Sequence, residues 1–248
     1  MKVTLFDYTG NGANDPGRLA ASILLFTKST RLKMSPELLA ETLTATDEEV
    51  TLGLRLMAQT NPGSWEFIHF SFLIEGVTRA FCQQLTRTRQ ASYAQQSFRV
   101  VEVKDFSYET GPTISGNKLI KGTYENTMEN AFQCYTHLID AGASVEDARG
   151  VLPLNTHTNI CVSINMRNFI STARKRTSGR VQGEYRHVMD ACIIEIEKVY
   201  PWFHIFYKSD QMKAKKDLLE LLYSNEKLTP EEKVEMYRKI DMISSGIE

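Results

Sequence analysis

Apolar positions along the chain switch between two periods, and the switches predict alternating strands and helices. Lys2 to Tyr8 reads as a short strand ending in the turn Thr9-Gly10-Asn11-Gly12. Asp15-Pro16 supplies an N-cap and a first-turn proline, predicting a helix with Leu19, Ile23 and Leu24 on one face. Ser35-Pro36 repeats that start signal. Thr46-Asp47-Glu48-Glu49 has the form of a capping box, Thr46 at the N-cap and Glu49 at N3, ahead of a helix from Val50 to Gln59. Trp65 to Glu75 alternates and is rich in aromatic and branched residues, which predicts a strand. Val77, Ala80, Phe81, Gln84 and Thr88 share helical spacing, and a further strand is expected at Phe98 to Val103. Tyr124, Met128, Phe132, Tyr135, Leu138 and Ile139 mark a long amphipathic helix. Thr158, Ile160, Val162 and Ile164 alternate as a strand, followed by a helix across Arg167 to Arg176. Val181, Tyr185, Val188, Cys192 and Ile196 mark another helix, which stops before Pro201.

The texture changes near the C-terminus. From Ser209 the chain is dense in Lys and Glu, and Thr229-Pro230-Glu231-Glu232 is a strong helix start. Two charged amphipathic helices are expected there. Their apolar faces are narrow, so they read as an appendage on the core or a clasp between subunits. There is no internal repeat and no low-complexity segment.

Composition bounds the possibilities. The chain has 248 residues, 42% hydrophobic and 24% charged, which excludes wholesale disorder and fits one large or two intimate domains. No run of 18 apolar residues exists to span a membrane, and MKVTLFDYTG lacks the apolar stretch of a secretory signal. Cys82, Cys134, Cys161 and Cys192 lie far apart and there are 5 histidines, so neither a metal site nor a disulfide framework is expected. A reducing cytoplasm is the expected compartment. A net charge of −1 argues against bulk binding to nucleic acid.

Charge becomes informative locally. An average 36-residue stretch of this chain would hold about four acids. From Ala148 to Gly183 there are none, while Arg149, Arg167, Arg174, Lys175, Arg176 and Arg180 all fall inside. A second acid-free stretch, Gly76 to Val101, holds Arg79, Arg87, Arg89 and Arg99. Arginine's planar fork suits phosphate, and a lining without acids keeps the local field positive. The alternative is that these arginines pair with carboxylates from elsewhere in the fold.

Several common motifs are incomplete. Gly10-Asn11-Gly12 begins like a dinucleotide fingerprint, but the third glycine is missing; no phosphate-cradling GxxxxGK loop, nucleophile elbow or HExxH occurs. His157 and His187 read as structural residues, and Cys82 and Cys161 as small buried hydrophobes. The segment from Arg87 to Arg99 is different, packing Arg, Ser and Gln at close spacing. Arg87 and Arg89, diverging at a helix end, can serve two anionic groups. Ser97 and Arg99, two apart in an extended run, would point to one side and hold one ligand together.

These residues resemble the flavin-dependent thymidylate synthases. The family signature is Arg-His-Arg, seven residues, then Ser; here it is Arg87-Thr88-Arg89, Gln90 to Gln96, then Ser97, with Ala91-Ser92-Tyr93 inside and Arg99 beyond. Ser64-Trp65-Glu66 and Phe70-Ser71-Phe72 upstream look like the strand before the motif helix. Downstream, Ala148-Arg149-Gly150-Val151-Leu152-Pro153, Thr158, Asn165-Met166-Arg167, Arg176 and Gln182-Gly183-Glu184 keep the family's order. The resemblance covers residues 1–207, taken as the catalytic domain, and leaves 208–248 as a charged helical extension.

The resemblance implies a mixed α/β (α+β) fold, a central mostly antiparallel sheet flanked by helices, assembled as a homotetramer with active sites shared between chains. It implies bound FAD, a pyrimidine deoxynucleotide monophosphate substrate, methylenetetrahydrofolate as carbon donor and NADPH as reductant. By position, Arg87, Thr88, Arg89 and Gln90 would lie along the flavin, with Asn165, Arg167 and Arg180 helping from another subunit. Gln84, Gln95, Gln96, Ser97, Arg99, Arg149 and Arg176 would surround the nucleotide. Arg99 and Arg149 would take its phosphate. Arg176 and Ser97 are the expected catalytic residues, Arg176 by polarising the pyrimidine.

Departures from the family pattern cluster. Thr88 stands where the signature has His, Gln95 where Glu is common, Ala94 where Asn is, and Asn61 and Phe67 where histidines often occur. Three activities therefore stay open at this point: methylation of dUMP to dTMP, hydroxymethylation of dUMP or dCMP, and flavin or nucleotide binding without turnover.

Overall fold

The computed structural model describes residues 1–60, 62–176, 183–207, 218–219, 221–225 and 228–245. Four strands, β1 Lys2–Tyr8, β2 His69–Thr78, β3 Ala91–Gln95 and β4 His157–Asn165, form one sheet in the order β1-β2-β4-β3. Every pairing is antiparallel. Alternation decides which face is covered. Phe70, Phe72 and Ile74 of β2 and Thr158, Ile160, Val162 and Ile164 of β4 are buried, while Ser71 and Ser163 meet hydroxyl to hydroxyl at 3.3 Å on the other face. A bulge between Leu5 and Asp7 leaves Phe6 without a partner, so Leu5 and Tyr8 both pack on the inner face.

The predicted helix starts are present. Helix α1, Pro16–Lys28, is capped by Asp15, whose carboxylate accepts from Arg18 N at 2.8 Å. Helix α2, Pro36–Thr44, starts on Ser35, and α3, Asp47–Ala58, on a complete capping box at Thr46 and Glu49. Helix α4, Arg79–Leu85, follows β2 directly; α5, Pro112–Ser115, α6, Lys118–Asp140, and α7, Val145–Ala148, lie between β3 and β4. Helix α8, Met166–Arg176, leaves β4 without a loop, and α9, Gly183–Val199, and α10, His204–Tyr207, complete this part of the chain. At the core, Phe70 meets Phe169 of α8 at 5.7 Å and Tyr200 and Phe203 beyond α9 at 5.8 and 6.0 Å.

Three expectations are corrected. Pro62–Phe67 forms 3₁₀ turns, so the strand expected from Trp65 begins at His69; Trp65 instead buries its ring edge-on against Phe206 at 5.1 Å. The motif helix ends at Leu85 rather than reaching Thr88. The strand expected at Phe98 to Val103 does not form. Val101 N bonds back to Ser97 O at 3.0 Å and Val103 N to the Tyr135 hydroxyl at 3.1 Å, because Phe98 turns into a second apolar cluster with Tyr135, Ala148 and Leu152.

Near the C-terminus, Pro230–Ser245 is helical and opens on reciprocal bonds between Thr229 and Glu232 of 2.8 and 3.3 Å. Residues 221–224 are also helical. Together they line an apolar groove of about 280 Å³ with Leu218, Leu221, Leu222, Leu228, Met236 and Ile240. No helix among the described residues is long and apolar enough to cross a membrane.

Candidate active site

The junction from β4 into α8 places Asn165 and Arg167 at one end of the sheet. Asn165 Oδ1 accepts from Asn168 N at 2.9 Å, which caps the new helix. Ala91 pairs with Ile164, so Gln90 arrives beside the same junction, and its carbonyl accepts from Asn168 Nδ2 at 3.1 Å. Gln90, Asn165 and Arg167, with Glu66, Asn168, Ser171 and Lys175, line an open polar cleft of about 530 Å³. That volume lies in the ordinary range for ligand sites. Glu66 is the carboxylate of this lining, and it pairs with Arg167.

A second group collects at the other end of β3. Gln95 pairs with Ile160, Gln96 N donates to Asn159 O at 2.9 Å, and Asn159 Nδ2 donates to Gln96 Oε1 at 3.0 Å. Ser97 and Arg99 follow, but not in an extended run. They lie at a turn in which Ser97 Oγ accepts from Arg99 N at 3.2 Å, so the alternation of an extended strand does not set their directions. Arg99 approaches the Glu146 carboxylate at 3.9 Å, and Arg149 Nε donates to Glu146 O at 3.2 Å. Arg79 completes the patch, its guanidinium 5.3 Å over the Phe98 ring. Burial, and then neighbouring Arg149, hold Arg79 below the usual arginine range.

Arg176 belongs to a third place, the far end of α8. Its guanidinium lies over the ring of the fully buried Tyr185, 4.8 Å from the centroid. Burial pushes the Tyr185 phenol up, with Thr88 and Arg176 beside it acting in the opposite sense; neither makes a well-formed hydrogen bond to Oη. Arg87 and Arg89 are exposed beyond α4, and Gln84 is half-buried on that helix. Thr88 borders an apolar void of about 20 Å³ among Phe72, Tyr93, Phe169 and Val188. Its carbonyl accepts from the Tyr93 hydroxyl at 2.7 Å. Arg180 and Asn61 lie outside the described residues.

One chain therefore brings its candidate residues together in separate groups. The five residues of β3 hold Gln90 and Gln96 about 17 Å or more apart. The alternative that arginines pair with distant carboxylates holds in part. Arg167 meets Glu66 and Arg99 meets Glu146, while Arg174 donates to Phe206 O at 2.8 Å and serves the core.

Comparison with known proteins places the chain. The family described as "Thymidylate synthase complementing protein" matches residues 4–202. A "Flavin-dependent thymidylate synthase" of Sulfurisphaera tokodaii is 31% identical over 204 residues, covering 81% of this chain and 75% of that protein. Proteins of the same description from Clostridium tetani, 31% identical over 81% of this chain and 84% of the relative, and Geobacter sulfurreducens, 32% over 75% and 78%, agree. The chain belongs to the flavin-dependent thymidylate synthase family.

Within this family member, the structure adds residues that sequence reading passed over. Arg79 was visible only as one arginine of the acid-free stretch. Glu66 stood only inside the matched Ser64-Trp65-Glu66 run and Asn168 carried no local signal, since their role at the cleft depends on β2, β3 and β4 meeting at one end. Glu184 appeared as a matched position; its carboxylate accepts from Thr78 N at 2.7 Å and Thr78 Oγ1 at 2.6 Å, tying α9 to the start of the motif helix. The cysteines do not enter the site. Burial pushes the Cys82 thiol up to about 12 and Cys192 higher still, the wrong direction for a nucleophile.

Proposed function

We propose that this chain binds FAD and transfers the one-carbon unit of methylenetetrahydrofolate to C5 of dUMP, giving dTMP, with NADPH as reductant. The observation that carries the reading is the polar cleft at the β4–α8 junction, where Gln90, Asn165 and Arg167 converge. Its donor set suits a flavin's pyrophosphate: amides from Gln90 and Asn165, the Lys175 ammonium, the N–H groups that Arg167 keeps beyond its pairing with Glu66, and a helix N-terminus at α8. When bound, the flavin supplies the redox chemistry, and the protein binds and orients it.

The protein's own work is electrostatic. C5 of a pyrimidine is a poor nucleophile, and activating it for attack spreads negative charge onto the ring oxygen, where the guanidinium of Arg176 would stabilise it. Arg99 and Arg149, with Arg79 behind them, would take the nucleotide phosphate; Gln84, Gln95, Gln96 and Ser97 would surround the nucleotide. Arg87, Thr88 and Arg89 would lie along the flavin, with Arg180 contributing from a neighbouring chain; Asn165 and Arg167, expected from another subunit than Gln90, instead line the cleft beside Gln90 of their own chain. Because β3 separates the flavin-side and phosphate-side groups, a single site containing both is best built between chains, as in a homotetramer. Val100, Val101, Leu119, Ile120 and Leu154 are exposed on one chain and support burial against another copy.

The test is product mass. Purified protein with FAD and methylenetetrahydrofolate is offered dUMP and dCMP, with and without NADPH, and the nucleotides are weighed by mass spectrometry. An NADPH-dependent methyl gain on dUMP is expected. A hydroxymethyl gain without NADPH, on either nucleotide, would overturn methylation in favour of hydroxymethyl transfer, and no product would leave a binding protein.

A further inference from the structure

Arg176 sits at the last position of α8, where a long, flexible cation ordinarily loses its orientation. Among the described residues no carboxylate pairs with it. What it does meet is a ring face. The Tyr185 ring is completely buried and wedged edge-on against Phe81 of the motif helix, 5.0 Å away at 65°. Its neighbour Glu184 locks the start of α9 to Thr78 through two short hydrogen bonds. The ring is therefore anchored to both α4 and α9 and cannot follow the guanidinium. A cation held through a ring face keeps its N–H donors for other partners, whereas a carboxylate would consume them.

We infer that Tyr185 is the positioning residue for Arg176: its ring is the platform that aims the guanidinium at the substrate pyrimidine. This rests on the assignment of Arg176 to the pyrimidine. Thr88 and Arg176 lie beside the buried Oη but neither makes a well-formed hydrogen bond to it, so the contact that holds the guanidinium is the ring face. The role belongs to orientation in the transition state, so loss of the platform lowers kcat while nucleotide affinity, carried by the phosphate arginines, stays.

The experiment uses the full-length, FAD-loaded protein and reads dTMP formation, dUMP affinity by calorimetry, and thermal unfolding. Tyr185→Phe keeps the ring and is expected within about twofold of wild type in kcat. Tyr185→Leu removes the face, and kcat is expected to fall about tenfold with dUMP affinity nearly unchanged. A series of mono-, di- and trifluorinated phenylalanines at position 185 weakens the ring's negative face at almost constant volume, so kcat should fall stepwise along it. That series decides the question even where the Leu variant fails to fold, because a ring that only fills space is indifferent to fluorination. A flat fluorine series, or a folded Leu variant with wild-type kcat, overturns the positioning role. Arg176→Ala, measured alongside, separates the two layers. If it retains turnover, the assignment of Arg176 itself fails. If it is inactive while the fluorine series is flat, only the platform fails.

Discussion

Glu184→Ala should be one of the most damaging single changes outside the apolar core. Its two carboxylate oxygens accept from the backbone N–H and the hydroxyl of Thr78, at 2.7 and 2.6 Å, across 106 positions of sequence. Thr78 is 1% exposed, so water cannot replace the lost acceptor without entering the core. The same hydroxyl accepts from Phe81 N at 2.9 Å and caps α4. Hydrogen bonds to a charged group contribute about 1.5–3 kcal/mol each, and these two converge on one residue, so they do not add in full. About 3 kcal/mol is the expected loss for Ala. Glu184→Gln keeps an acceptor and the shape, and should lose about 1–2 kcal/mol. The assay is urea unfolding of full-length protein at one fixed concentration, since association shifts apparent stability. A double-mutant cycle with Thr78→Val supplies the check: both changes break the hydroxyl bond, which Glu184→Ala loses together with the backbone bond and Thr78→Val together with the α4 cap, so their costs should fall short of additive by about the worth of that one bond. An Ala variant within about 0.5 kcal/mol of wild type, or strictly additive costs, would refute the reasoning.

Thr88→His should destabilise the protein by about 1–3 kcal/mol, because the larger ring enters a void of only about 20 Å³ among Phe72, Tyr93 and Phe169. Denaturant unfolding reads it, and unchanged stability would show that the side chain at 88 turns outward. His157 gives a pH dependence. Burial lowers its pKa from the ordinary 6.5, against the pull of Glu109, so the folded state favours the neutral ring. The unfolded chain then binds the proton more readily, and this residue's contribution is present above about pH 6.5 and lost as pH falls from there toward its folded pKa. His157→Gln should flatten the urea midpoint between pH 7.5 and 5 relative to wild type; parallel curves would show that the histidine does not titrate on folding.

The helix starts were readable because their physics is local. Asp15, Ser35, Thr46 and Thr229 each satisfy backbone N–H groups three residues on, and no distant residue is needed. The same holds for β4, whose every second residue is apolar or Thr and is buried, and for the helix that leaves it. The two acid-free stretches were equally plain, since charge is counted without knowing the fold. They contain most of the candidate residues, and both fall within the matched family region.

Non-local decisions were not legible. Ala91 to Gln95 alternates only at Ala91 and Tyr93, which pack on the core, and becomes a strand because β4 offers it a partner edge; Phe98 to Val103 has the better strand composition but no partner, and Phe98 is drawn into the cluster at Tyr135 instead. Spacing could name Arg167, Arg176, Arg99 and Arg149 as candidates, but not what each would face. Glu66 against Arg167, the Tyr185 ring beneath Arg176, and Arg79 beside Arg149 arise where segments far apart in sequence are packed together. What the sequence alone determined, then, is the chemical inventory and the local elements that carry it, because caps, periods and charge runs act within a few residues. Which charges meet, which are neutralised and which remain free was decided by the sheet order and the packing of α4, α8 and α9, because those contacts depend on pairings that no local window contains.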